Sequence, residues 1–430
     1  MRRKALLGIA FILTIALLLG SCNADNDAAT LPPDVEKNLV EEATVYAIAE
    51  NLKFSPSPNT ERLSTSADKT TGTPAAKDIE SITPLMGDDS LPTSYVVNYK
   101  GGGFIILSAD RRLEPILAFS DNGSFPVEQA TKLGGVSDWL RSAQKTVELL
   151  RSNKLQPEPG VEQMWDMQTM SQITGGIPEI EPPTTIKPMD PIEIPCPKPY
   201  GVGPLMQTEW GQRQGYNNLC PYMGCNNHNG RALTGCVGIA MAQVIRYHQQ
   251  PTTYNYSIMP NRFNGVTTVG SDEMARLIRD VGNAVLMEWG CSSSSSNIGL
   301  ISRALRINFG YPRIVEVESF NLNRVKEEVY NRRPVLLSGG PKEYILGVIP
   351  YRGTGHAWVC DGYRVYHFCY GTPDPNTIDG GDYTEYKETY LHMNWGWNGQ
   401  LNAWYRPGSY FTPDKDSDYR YQVKMLTVNP

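Results

Sequence analysis

A proline-rich stretch over residues 153–203 splits this 430-residue chain into two differently patterned segments, which limits the folds open to it. Pro182-Pro183, Pro188, Pro191, Pro195, Pro197 and Pro199 crowd into the stretch, and Pro204 follows at once. Proline fixes φ and has no N–H to give a helix or sheet, so this composition reads as an extended linker and a natural place for a maturation cut. The chain length accommodates two or three domains.

Downstream, over 204–430, helical periodicity comes first and strand patterning after. The spacing predicts helices over 236–248, 271–283, 297–308 and 322–331. Strands are expected over 333–339, 344–349, 356–363, 386–395, 402–406 and 421–428. Helices followed by strands make an α+β layout. Upstream, apolar runs near 94–99, 104–110 and 113–123, separated by glycines, predict a small sheet. Leu133, Val136, Trp139, Leu140, Val147 and Leu150 share one face of an expected helix over 132–151. Residues 86–152 therefore read as a small α+β domain. Residues 22–85 read as a tether and N-terminal propeptide segment with one helix near 34–53.

Three positions in the larger domain carry chemistry. Cys236 opens a helical pattern continued by Val237, Ala240, Met241, Val244 and Ile245, with Thr234 and Gly235 as cap and turn. At a helix N-terminus the dipole favours an anion, and the thiolate is the nucleophilic form of cysteine. His356 begins an apolar run, Ala357-Trp358-Val359, behind Gly355, which leaves room for a substrate backbone beside the imidazole. Asn394 lies in an aromatic-rich strand beside Trp395. Thiol, imidazole and an orienting amide form a complete acyl-transfer set.

The chain resembles the streptopain family of papain-like cysteine peptidases. The resemblance rests on Trp210-Gly211-Gln212, Thr234-Gly235-Cys236-Val237, Gly355-His356-Ala357 and Asn394-Trp395-Gly396-Trp397, and spans roughly residues 200–430. It implies Cys236 as nucleophile, His356 as general base and acid, and Asn394 as the group orienting His356. It further implies Gln212 as a side-chain donor of the oxyanion hole and Trp395 as a shield over the His–Asn contact. Gly355 and a serine of the 292–296 run, Ser295 foremost, would line the substrate cleft. The strand runs around Ser94–Tyr99 and Gly101–Asp110 resemble that family's inhibitory propeptide, which implies a zymogen.

Met1-Arg2-Arg3-Lys4 and the apolar run from Ala5 to Leu19 read as a secretory signal over 1–21, shorter than the roughly 20 apolar residues of a spanning helix. Leu19-Gly20-Ser21-Cys22 looks like a bacterial lipoprotein box, with Cys22 as the lipidated N-terminus anchored to a membrane. Of the eight cysteines, six remain after Cys22 and Cys236, so disulfides are expected in an exported chain, with 15 pairings open. Cys220, Cys225 and His228 lack a second ligand pair for zinc, and no metal or cofactor is expected. A net charge of −6 gives no support for nucleic-acid binding. The reading is a lipid-anchored cysteine endopeptidase made as a zymogen. Its expected partners are protein or peptide substrates and its own prodomain. Against it stand a silent binding protein on the same fold and a cell-wall peptide amidase or acyltransferase.

Overall fold

The computed structural model describes residues 31–54, 75–174, 196–226, 229–314, 317–340, 342–345, 349–352, 355–371, 383–407 and 423–429. The signal stretch, Cys22, His228 and the proline-dense residues 182–195 lie outside the described residues. The contacts divide the chain into residues 1–37, which hold most of helix α1 (Pro33–Asn38), and residues 38–430.

In the second unit, the helix expected near 34–53 continues only as α2 (Glu42–Asn51). The break falls where Leu39 bridges Asp110 and the Val40 N–H donates to the Ala109 carbonyl at 3.0 Å. A short pair follows, β1 (Lys53–Phe54) with β2 (Ala75–Ala76). Then come the antiparallel strands β3 (Ile79–Met86), β4 (Pro92–Tyr99), β5 (Phe104–Ser108) and β6 (Ile116–Ser120). Successive strand residues point to opposite faces. Val96, Phe104, Ile106 and Ala118 pack under α3 (Val127–Ala130) and α4 (Val136–Arg151). Tyr95, Val97, Ile105 and Phe119 face α2. That second face is completed by α5 (Val161–Met164) and α6 (Met167–Thr174), through the buried Met164, Met170 and Ile173. Residues 161–174 are therefore packed helix, although they lie in the stretch expected to be linker. The prolines crowd in only after residue 174.

The downstream half begins with β7 (Tyr200–Val202), the hairpin β8 (Tyr222–Cys225) and β9 (Gly230–Arg231), and α7 (Cys236–His248). Helices α8 (Val269–Ala284) and α9 (Gly299–Asn308) follow, then β10 (Arg313–Ile314), β11 (Glu318–Ser319) and α10 (Leu322–Tyr330). The long strands are β12 (Val335–Gly339), β15 (His356–Gly371) and β16 (Tyr383–Asn394), with the hairpin β13 (Lys342–Ile345) and β14 (Ile349–Arg352) between the first two. The chain ends in β17 (Ala403–Tyr405), β18 (Lys424–Leu426) and β19 (Val428–Asn429). Helices α7, α8 and α9 bury Met241, Ile245, Leu277, Ile278 and Leu305 against Leu336, Ala357 and Val359 of the sheet.

The two halves share one eleven-stranded sheet. Strand β17 pairs with β6 through Trp404↔Phe119 and Tyr405↔Ala118. Trp139 of α4 seals the seam, its indole N–H donating to the Arg406 carbonyl at 3.1 Å and its ring edge-on to Tyr405. Disulfides join Cys196 to Cys369 and Cys225 to Cys291, while Cys220 and Cys360 are buried free thiols. Among the described residues no helix is long and apolar enough to cross a membrane.

Candidate active site

Cys236 is the first residue of α7. The cap is Gly235, at φ +75°, and not Thr234, whose buried hydroxyl has no partner. A side chain at 235 would also strike the Met287 sulfur and the Ser294 carbonyl, each at 2.8 Å. The first-turn amides of α7 thus point at the sulfur with no side chain competing for them. His356 is the first residue of β15. The antiparallel pairing of β15 with β12 and β16 brings it to the helix, where Ala357 shares a core with Val237 and Cys236. Gly355 is required by the neighbouring strand, since a Cβ there would lie 2.9 Å from the Gly339 carbonyl.

Cys236 and His356 are not engaged with each other. His356 Nε2 bonds the Trp395 carbonyl at 2.8 Å, and its ring stacks on Trp397 with centroids 5.0 Å apart. Asn394, expected to hold His356, instead donates to the Thr208 carbonyl at 2.7 Å and accepts from Gln243 Nε2 at 3.2 Å. The imidazole has taken the carbonyl of the next residue in place of the Asn394 amide. No hydrogen bond joins Cys236 to His356 among the described residues. A prodomain turn sits over the ring: a Cβ on Gly134 would lie 3.6 Å from His356 Nδ1, and one on Gly135 2.8 Å from His356 Cδ2 and 2.7 Å from the Trp395 ring.

This enclosure sets the protonation states. Burial pushes the Cys236 thiol above its usual range, against smaller opposing pulls from the Ala357 and Val237 amides. Cys236 keeps some surface exposure, yet its sulfur lies deep enough for desolvation to dominate. Burial likewise lowers His356 to about 4, opposed by its bond to Trp395. Both groups are neutral at pH 7, so the thiolate–imidazolium pair is not formed.

Gln212 is buried, and its Nε2 has no hydrogen-bond partner. Its carbonyl accepts the Thr234 N–H at 3.2 Å, which ties it to the turn before Cys236. An orphaned buried donor beside a nucleophile suits an oxyanion. Of the serine run, Ser294 rather than Ser295 borders the turn. Ser294 Oγ donates to the Leu233 carbonyl at 2.7 Å, whereas Ser295 is exposed and pairs with Glu288. Sequence reasoning missed Gln243, which holds both Asn394 and, at 3.1 Å, the Trp210 N–H. Its signal was an amide two turns along α7 from Cys236, on an otherwise apolar face.

Comparison with known proteins fits this geometry. The model of the Peptidase C10 family matches residues 210–405, and that of the Spi protease inhibitor matches residues 40–147. The C10 segment spans the Gln212 loop, Cys236, His356 and Asn394, and the inhibitor segment includes the Gly134–Gly135 turn. Streptopain of Streptococcus pyogenes is 26% identical over 362 residues, covering 75% of each chain. A thiol protease/hemagglutinin of Porphyromonas gingivalis is 23% identical over 370 residues, 75% of this chain and 35% of that one. A prointerpain A fragment of Prevotella intermedia shares the fold, with a TM-score of 0.52 at 21% identity over 80% of this chain and 97% of the other. The chain is thus similar to C10 cysteine peptidases and, over residues 40–147, to an inhibitor-type propeptide.

Proposed function

We propose that the chain is a lipid-anchored, exported endopeptidase held latent by its own prodomain. Cys236 attacks the scissile carbonyl as thiolate. His356 protonates the leaving amine, and the acyl group remains on sulfur as a thioester. Water then attacks the thioester while His356 takes its proton, releasing the carboxylic product and the thiol. The Cys236 backbone N–H and Gln212 Nε2 stabilise the oxyanion of both steps. On prodomain release His356 Nε2 shifts from the Trp395 carbonyl to Asn394, with the Trp395 indole covering that bond. Gly355 and the 292–296 serines flank the bound peptide.

The observation that carries this reading is that α7 and β15, which begin at Cys236 and His356, pack together through Val237 and Ala357. Cys236→Ala and His356→Ala, each matured with added trypsin, should retain the fold and lose protein digestion. A Cys236→Ala enzyme that digests protein as the parent does refutes the assignment. Anchoring through Cys22 rests on the lipoprotein-box sequence. Cys22→Ser should move the exported chain from the membrane fraction to the soluble one; unchanged fractionation removes the anchor.

A further inference from the structure

A cavity of about 430 Å³ lies against the turn that carries Cys236, and the mechanism above assigns it no substrate group. Leu233 forms one wall and the Cys225–Cys291 disulfide another, with Arg213, Asn226 and Ser292 among the lining. The walls are fixed to the catalytic turn. The Leu233 N–H donates to the Gly290 carbonyl at 3.0 Å, its carbonyl accepts Ser294 Oγ, and the next residue's N–H donates to Gln212. The disulfide pins β8 to the 290–294 loop.

Among the described residues no carboxylate lines this cavity. Arg213 follows Gln212 directly, is exposed, and forms no ion pair among the described residues. The nearby Arg231 is already committed to the Cys220 carbonyl at 2.6 Å, so it adds positive potential without competing for a ligand. Arg213 thus brings a guanidinium without an ion pair, among the described residues, to the wall it shares with Leu233 of the turn before Cys236. Guanidinium presents a planar fork that matches a carboxylate with two parallel hydrogen bonds.

We infer that Arg213 sets specificity by receiving, in this cavity, an acidic side chain of the substrate on the acyl side of the scissile bond. The placement follows from the wall. A substrate carbonyl held at Cys236 and Gln212 carries its acyl-side chain past Gly235 and Leu233, whereas the leaving side runs toward His356. The inference rests on the peptidase reading of the site.

The test uses matured full-length enzyme and fluorogenic peptides carrying Glu, Gln or Lys in turn at each position around the cleaved bond. Glu and Gln differ by the charge, so their ratio of kcat/KM isolates it. The parent should favour Glu over Gln about tenfold at one acyl-side position, the size of one charge-assisted hydrogen bond. Arg213→Ala should bring that ratio near one, Arg213→Glu should shift preference to Lys, and raised ionic strength should shrink the parent's ratio. Brisk turnover with a flat ratio, a ratio that survives Arg213→Ala, or a preference on the leaving side overturns the inference alone. A matured parent inert toward every peptide sinks the peptidase reading and this inference with it.

Discussion

Latency is expected to hinge on the absence of a side chain at Gly135. This residue sits at φ +81° and ψ −60°, a conformation open essentially to glycine. Forcing an L-residue there costs about 1–3 kcal/mol. A Cβ would also press on the Trp395 ring at 2.7 Å and on His356 at 2.8 Å. These rings pack among Trp358, Trp397 and Tyr405, so relief means moving the turn outward. Taking about 1 kcal/mol for that contact, at the low end of overpacking costs, Gly135→Ala should weaken closure by about 2–4 kcal/mol. The open fraction then rises roughly 30- to 700-fold. Gly134→Ala is the internal control, because its Cβ would meet His356 no closer than 3.5 Å, an ordinary contact. The assay is the rate at which a thiol reagent labels Cys236 in the uncut chain at pH 7, with Cys220 and Cys360 buried. Equal labelling of Gly135→Ala and parent, or equal effects of the two glycine variants, would show that the turn does not govern access to the site.

Gln212→Ala should lower kcat of the matured enzyme by about 10²–10³ with little change in KM, read by steady-state kinetics; a change confined to KM contradicts an oxyanion role. Glu388 shares the buried Arg406 with Glu114, and burial first, then repulsion by Glu114, raises it to about 8 against the pull of Arg406. A carboxylic acid raised in the folded state is neutral at low pH and costs stability as pH climbs from its unfolded value toward 8. Melting of the uncut chain should therefore show this group as a loss of up to about 1.4 kcal/mol per pH unit across that window, absent in Glu388→Gln. The Cys225–Cys291 bridge closes a separation of 66 residues, so replacing both cysteines by alanine should cost about 4 kcal/mol on the chain-entropy account, measured by denaturant titration.

Much of the downstream half was legible because its signals are local. The helix over 236–248 was bounded by the apolar spacing after Cys236, and α8, α9 and α10 lie within two residues of expectation at each end. What escaped was set by distant partners. The helix over 33–51 breaks because the Ala109 carbonyl captures the Val40 N–H, and nothing near Leu39 in sequence announces that. The helices over 161–174 looked like linker because composition was averaged over a window whose prolines sit at its far end. At the site, residue types pointed to Cys236 and His356 and the family resemblance to Gln212, but His356 also meets a turn more than two hundred residues upstream. Its ring bonds Trp395 and faces Gly134–Gly135, and motif spacing cannot register that competition.

The shared sheet makes cutting and activation separate events. While the linker is whole, the prodomain is held near the edge of β17 at an effective concentration of order millimolar. Once it is cut, the β6–β17 ladder and the mixed core around Trp139 and Tyr405 still join the fragments, now as a bimolecular complex. A nicked molecule thus stays silent at high protein concentration and wakes on dilution.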